Sequence, residues 1–561
     1  MTENSKNAFV LDNDKSKTLD VTGINNKKAI VIEMKGNTSG DAYFDNVKIK
    51  YREPVEDSLP VIESVSGEGV KTNSVLIDKA ERSITVPVVP GKLTDTWQPT
   101  LDVDYPATAE LTDGTWKNGT ITVTMGTQSA AWTIKCVEYG NPVLDGFYAD
   151  PNIALFGDTF YIYPTTDGGV GWDSRSFKTF SSKDLVNWTE HDVILDLADV
   201  PWSKGKCGWA PTIIERNGKY YYYFSAENRD NTAKSLGVAV ADSPTGPFIA
   251  EETPIAPSGT KPGQMIDPAV FIDDDGQAYL YWGNGGYYAA KLSDDMLNIE
   301  GDIETITPTN FREASFVIKR NGTYYFMWSD NDTGEPTYEV HYGTSDSPMG
   351  PIKGDTTILS YESADEGTNI KATGHHSVVN IPGTDEWYIC YHRFNIPRYG
   401  NVTAKNSEAG NHREVCIDKM EFNADGSIKP VKPTLEGITE PVTVQETELS
   451  AKCDMSTLWN DGNIEYKAFV SNATSEYDLY IAIYDENGVL VKVFKNEPTG
   501  SFEAEDGVYT VKAMVWEKNG MKPLCDTVEK TVLSDAPKID ISEDNVCLLY
   551  TSPSPRDRSL S

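Results

Sequence analysis

One pattern of residues is written five times in this chain. Asp150-Pro151 opens an apolar run that turns at Gly157-Asp158 and returns as the aromatic-rich stretch 159–163. Ala210-Pro211-Thr212-Ile213 passes through Asn217-Gly218 into 220–224, and Asp267-Pro268-Ala269-Val270 passes through Asp275-Gly276 into 279–282. Glu313-Ala314-Ser315-Phe316 leads through Asn321-Gly322 into 324–328, and His376-Ser377-Val378-Val379 leads through Gly383-Thr384-Asp385 into 387–391. Asn-Gly and Asp-Gly turns between alternating apolar runs are hairpin signals. A unit of about 40 to 60 residues that recurs like this reads as a blade of a β-propeller. Five copies predict five blades, whose inner strands bring Asp150, Ala210, Asp267, Glu313 and His376 to the axis from distant points of the sequence. Three carboxylates then meet at one mouth, and that convergence needs a chemical reason.

At 561 residues the chain is too long for one ordinary domain. Residues 1–55, with a strand-like run at 29–34 and the ending Phe44-Asp45-Asn46-Val47, read as the C-terminal fragment of a carbohydrate-binding or lectin-like β-sandwich. Residues 60–137 carry short strands at 83–88, 121–124 and 131–134 and read as an immunoglobulin-like sandwich acting as a spacer. The repeats occupy 139–435. Residues 436–540, with a hairpin across Asp485-Glu486-Asn487-Gly488, read as a further immunoglobulin- or fibronectin-like sandwich. Residues 547–561 resemble translated adapter sequence and are set aside. The expected class is all-β: a five-bladed β-propeller flanked by immunoglobulin-like β-sandwich modules.

The formal charge of −36 disfavours nucleic acid and anionic membranes as partners and suits a neutral substrate. No apolar run approaches the roughly 20 residues that span a bilayer. The 29 tyrosines and 12 tryptophans suit strands and stacking surfaces. Seven cysteines lack metal-finger spacing and read as buried thiols, with a Cys453–Cys525 bridge left open. Met1 is followed by a hydrophilic stretch rather than the apolar core of a signal peptide. The expectation is a secreted protein truncated at its N-terminus, with a cytosolic protein as the alternative.

A proton donor and a proton acceptor set across one bond, between aromatic walls, is what hydrolysis of a glycosidic bond requires. One carboxylic acid protonates the leaving oxygen, while a second activates water or attacks the anomeric carbon. A third carboxylate nearby disfavours ionisation of its neighbour and so keeps the donor protonated near neutral pH. A single Asp-Pro or Glu-Ala at a strand start is a turn or cap residue. Three in one phase of a repeat argue for chemistry.

Together, Tyr148-Ala149-Asp150-Pro151, Gly208-Trp209-Ala210-Pro211, Ile266-Asp267-Pro268-Ala269, Arg312-Glu313-Ala314-Ser315, Thr373-Gly374-His375-His376-Ser377 and His412-Arg413-Glu414 resemble glycoside hydrolase family 43 over residues 139–435. The resemblance implies an inverting, exo-acting enzyme of the arabinofuranosidase/β-xylosidase type. Release of α-L-arabinofuranose from arabinoxylan or arabinan is the expected reaction. Asp150 then matches the general base, Glu313 the general acid, and Asp267 the residue that tunes and orients the acid, with base and acid about 6.5–9.5 Å apart. Arg413 matches a contact to sugar hydroxyls and Trp209 an aromatic at the sugar subsite. His375 matches the axial histidine, beside a structural calcium ion or its water shell. The chemistry itself implies no cofactor. The implied partner is plant cell-wall polysaccharide or oligosaccharide, acted on by a secreted monomer. A β-xylosidase is the enzyme alternative, and a catalytically inactive glycan-binding propeller is the alternative from another class.

Other residues keep two readings. His376 competes with His375 for the axial place. His392 and Arg393 read as residues that pack or pair at the end of the fifth aromatic strand. Trp172 and Trp202, on loops between the first repeats, stand between stacking on sugar and packing. Asp273-Asp274-Asp275-Gly276 lacks the spacing and terminal Glu of a calcium loop and reads as a hairpin turn.

Overall fold

The computed structural model describes residues 59–534, apart from 104–106, 170, 445–450, 472, 474–475 and 519–522. The segments read as 1–55 and 547–561, Cys547 included, lie outside the described residues. Those described fall in one compact unit. Regular structure is almost wholly β, and Ile396–Tyr399 is the only α-helix among the described residues.

Between Tyr148 and Met420 the strands form five successive antiparallel sheets of three or four strands, with the two-stranded pair Ser176–Phe177 and Leu195–Asp196 beside the first. Their first strands are Tyr148–Phe156, Trp209–Arg216, Ala269–Ile272, Glu313–Arg320 and Gly374–Asn380. The hairpin turns fall where the sequence places them. Asn217-Gly218 and Asn321-Gly322 both have positive φ at the two loop positions, the backbone that a two-residue hairpin of this twist demands. Each first strand lies against the next, and the fifth lies against the first.

Five apolar layers fill the spaces between successive sheets. Tyr163 and Phe177 meet Tyr222 and Phe224, Val238 meets Leu280 and Trp282, and Tyr281 meets Phe326 and Trp328. Met327 then meets Ile389 and Tyr391, and Val379 and Tyr388 meet Ile153 and Phe160 of the first sheet. Each large side chain buried here contributes about 1.5–3 kcal/mol. The central strands of every sheet are covered on both faces, which explains their continuous apolar and aromatic character.

Near their starts four of the five first strands slip register by a bulge, all but Ala269–Ile272. The pairing jumps between Ala149 and Asn152, Trp209 and Thr212, Glu313 and Phe316, and Gly374 and Ser377. A residue with left-handed backbone sits at each break: Asp150 (φ 47), Ala210 (φ 46), Ala314 (φ 62) and His375 (φ 43), with Asp267 (φ 58) in the third sheet. This corrects the phase expected from the repeats. Ala314 and His375, not Glu313 and His376, are the equivalents of Asp150, and Glu313 shares its position with Trp209. The sequence spacing cannot show this, because the bulge adds a residue without changing the hydrophobic pattern on either side.

The strained positions are held from the preceding sheet. Ala210 N–H donates to Thr165 Oγ1, Asp267 N–H to Ser225 Oγ, His375 N–H to Ser329 Oγ, and Asp150 N–H to His392 Nδ1. The place of these four side chains in the third sheet belongs to Gly283, whose N–H bonds Ile266 O. Ala314 N–H turns instead to Asp267 Oδ2 at 2.9 Å.

Before the five sheets, a five-stranded sheet (Leu76–Asp78, Ser83–Val88, Gln128–Glu138, Asn118–Met125, Thr108–Gly114) and the pair Ile62–Ser66 with Thr100–Val103 share one core around Trp132, Ile84, Val123 and Ile62. Ala130, Trp132 and Ile134 point inward at alternate positions, as a half-buried strand requires. After the five sheets, Lys452–Asn460, Asn463–Ser471 and Thr499–Glu503 pack against a four-stranded sheet led by Tyr477–Tyr484 and Val508–Glu517. Cys453 and Cys525 in this part stand as free thiols.

Candidate active site

The bulges turn side chains of neighbouring sheets toward one point. Asp150 is buried, and its Oδ1 accepts Arg413 Nη1 at 2.7 Å. Arg413 is fixed from its other side by Asp167, with Nε donating to Oδ2 at 2.8 Å and Nη2 to Oδ1 at 2.9 Å. Planar guanidinium and carboxylate fit as a fork here, which a lysine could not reproduce. His375 Nδ1 lies 3.2 Å from Asp150 Oδ1. His392 Nδ1 accepts the Asp150 N–H at 3.1 Å, so its proton sits on Nε2, facing Thr333 Oγ1. Burial works to raise the Asp150 pKa, but the Arg413 guanidinium overcomes it and holds the carboxyl well below the usual carboxylate range. Burial keeps His392 and His375 neutral, lowering them to about 3 and about 4.

Glu313 is held differently. Its Oε1 accepts Tyr338 Oη–H at 3.1 Å and its Oε2 accepts Asn284 Nδ2 at 2.6 Å. Burial raises it to about 7, against Arg312, whose Nε lies 3.6 Å away, while Asp150 adds to the rise. Asp267 is also raised, first by burial, then by the nearness of Glu313 and Asp150. One pocket thus holds one ionised carboxylate and two carboxyls that favour the proton, the separation of roles that paired acid and base chemistry needs.

Asp150, Asp267, Glu313, His375, Arg413 and Trp209, six residues predicted from the sequence, line a cavity of about 60 Å³ together with Trp172 and Thr333. Trp209 Nε1 donates to Trp172 O at 2.9 Å, and the Arg413 guanidinium lies 5.6 Å from the Trp172 ring. Trp172 therefore belongs to the site, whereas Trp202 is buried and stacks on Phe224 in the apolar layer. His392 is also in the site, beyond the packing role read for it; Arg393 pairs with Glu414. Asp167, Asn284, Thr333 and Tyr338 were not singled out by the sequence. They lie outside the repeated motifs, and only the packing of distant loops brings them in.

His375 is the axial histidine beside which a calcium ion or its water shell is expected. Its Nδ1 faces Asp150 and, at 3.9 Å, Asp267. The histidine whose two ring nitrogens lack a protein partner is His376, buried beside Phe316, while the Ser315 hydroxyl, at the matching place in the fourth sheet, is likewise buried and unbonded. An imidazole and one hydroxyl supply only part of the about six to eight ligands that calcium takes, leaving the rest to water. Asp273-Asp274-Asp275-Gly276 is a hairpin turn, closed by Gly276 N–H to Asp273 O, with Asp273 engaged by Lys319 and Tyr324.

Buried carboxyls with opposed pKa shifts in one polar pocket, beside two tryptophans, are the arrangement that hydrolysis of a glycosidic bond uses. The family model for glycosyl hydrolases family 43 matches residues 139–428, and the chain belongs to that family. A β-D-galactofuranosidase, xynD, of Aspergillus niger (strain ATCC MYA-4892 / CBS 513.88 / FGSC A1513) is 37% identical over 319 residues, covering 55% of this chain and 89% of that protein. A xylosidase/arabinosidase of Bacteroides ovatus is 29% identical over 346 residues, covering 52% and 96%. An arabinoxylan arabinofuranohydrolase of Bacillus subtilis (strain 168) is 32% identical over 356 residues, covering 54% and 66%.

Proposed function

We propose that this chain is an inverting, exo-acting α-L-arabinofuranosidase that trims arabinoxylan or arabinan. The observation that carries the reading is the opposed state of two carboxyls in one pocket: Asp150 ionised against Arg413, and Glu313 raised to about 7. In this mechanism Glu313 gives its proton to the leaving glycosidic oxygen. Asp150 takes a proton from a water that attacks the anomeric carbon from the opposite face, inverting its configuration. Asp267 holds the backbone beside Glu313 through Ala314 N–H. Trp172 and Trp209 line the pocket beside the three carboxyls and offer apolar faces to a sugar ring.

Two relatives named for furanosides support the choice of sugar, because α-L-arabinofuranose and β-D-galactofuranose share their ring configuration. The relative named xylosidase/arabinosidase supports β-xylosidase as the second reading. The reading also takes the five sheets as blades of a five-bladed β-propeller and the flanking strands as immunoglobulin-like modules of a secreted monomer. The five inter-sheet layers support the propeller.

The test is hydrolysis of nitrophenyl α-L-arabinofuranoside, β-D-xyloside and β-D-galactofuranoside by wild type and Glu313→Ala. Preferential release from the arabinofuranoside, lost in the variant, is expected. Preference for either other sugar moves the specificity and leaves the site intact. No release from any of them or from polymer leaves a glycan-binding propeller.

A further inference from the structure

The strands Gly374–Asn380, Trp387–Phe394 and Arg413–Met420 form the fifth sheet. Phe394 pairs with Arg413, Arg393 with Glu414 and His392 with Val415. Facing residues of paired strands share a face, and neighbours along a strand point to opposite faces. His392 and Arg413 therefore lie on the face toward Asp150, and Arg393 and Glu414 lie on the back. The back is a fully buried ion pair, with Arg393 Nε 3.3 Å from Glu414 Oε2 and both side chains all but inaccessible.

That buried pair is sealed by the N-terminal strands, through the turn Thr72–Ser74. Ser74 Oγ donates to Glu414 Oε1 at 2.7 Å. Asn395 Nδ2 donates both to the same Oε1 and to Asn73 O. Lys71, buried in the same turn, donates to Gly140 O and Pro142 O at the entry to the first sheet. Thr72 Oγ1 holds Asp145 at 2.7 Å. A spacer needs none of these contacts. A carboxylate buried without its full set of donors is costly and relaxes by moving, and Glu414 is covalently next to Arg413.

We propose that the module spanning residues 60–137 is a working part of the active site, and that Ser74 is a positioning residue acting through Glu414 to hold Arg413 against Asp150. The proposal rests on the reading of Asp150 as the general base. Without the Ser74 donor, Glu414 shifts toward Arg393 and carries the start of the Arg413 strand with it. Arg413 Nη1 then loosens from Asp150. The other charged or titratable groups facing Asp150 are His375, His392, Asp267, Asp167, Glu313 and Tyr338, and they stay in place.

The test compares Ser74→Val with Ser74→Thr in the full chain, two substitutions of nearly equal shape that differ in the hydroxyl. Ser74→Val is expected to lower kcat/KM about tenfold at about pH 4.5 and less at pH 7, because a weaker Arg413 contact raises the Asp150 pKa. Ser74→Thr is expected to restore both values. Val86→Ala, in the apolar core of the same module, is expected to lower the melting temperature without changing the ratio between the two pH values. The proposal is overturned if Ser74→Val keeps the wild-type ratio, or if Val86→Ala changes it as much. Asp150→Asn, run alongside, separates the two layers. Retained activity there removes the base assignment and the proposal together, whereas an inactive Asp150→Asn beside an unaffected Ser74→Val removes the proposal alone.

Discussion

The backbone N–H of Ala314 donates to the Asp267 carboxylate at 2.9 Å, at the one step around the five sheets where the preceding sheet offers no side chain. Thr165, Ser225, Ser329 and His392 fill that role elsewhere, and Gly283 stands in the corresponding place. The carboxylate beside Glu313 is thus also the latch of the bulge that carries Glu313.

Gly283 cannot be replaced by a latch of the common kind. Its φ of 137 is open to glycine alone, and a Cβ would lie 1.8 Å from Gly286 O. Gly283→Ala is expected to cost about 3 kcal/mol or more, as measured by denaturant unfolding. A variant as stable as wild type would show that the strand shifts freely.

Arg413 joins two buried carboxylates. Arg413→Met leaves Asp150 and Asp167 without a cation and is expected to lose about 3–5 kcal/mol of stability. With the cation gone the Asp150 pKa rises, so the acid limb of kcat/KM moves to higher pH. A pH profile with an unmoved acid limb would assign the low pKa to another group.

Tyr338 donates to Glu313 and so favours its ionised form. Tyr338→Phe removes that donor, and the Glu313 pKa rises from about 7. Activity that needs protonated Glu313 is lost as pH rises through that value, so the basic limb is expected to move to higher pH in the variant. Movement the other way would contradict the acid assignment.

Glu313 also has a consequence for stability. Its pKa is raised on folding from 4.5 to about 7. The folded state therefore binds a proton that the unfolded state releases between these values, and stability falls as pH rises through the window. Glu313→Gln lacks this penalty and is expected to gain about 3 kcal/mol over wild type at pH 7.5, and little at pH 4. Thermal unfolding at the two pH values checks it; equal differences at both would mean that Glu313 stays ionised in the fold.

Much of this site was legible in the chain because its parts repeat. Asp150, Asp267, Glu313, Trp209, His375 and Arg413 all stand in motifs at strand starts, and the hairpin turns mark where the strands begin. Asp167, Asn284, Thr333 and Tyr338 carry no such signal. Each lies on the connection between the second and third strands of its own sheet, outside the regular pattern. The one-residue difference in phase at Glu313 was also hidden, since a bulge changes which residue faces the axis and leaves the apolar alternation intact. The segment 60–137 looked inert because Ser74 and Lys71 are ordinary residues of a turn until Glu414 and the Pro142 carbonyl are placed beside them.

By itself the sequence determined the strand-and-turn order, the five repeats and the identity of the three carboxylates, because hydrophobic period and turn chemistry act over a few residues. Only the tertiary structure decided the protonation of those carboxylates. Burial and the positions of Arg413, Arg312 and Tyr338 shift their pKa values, and these are properties of distances between residues up to 263 positions apart.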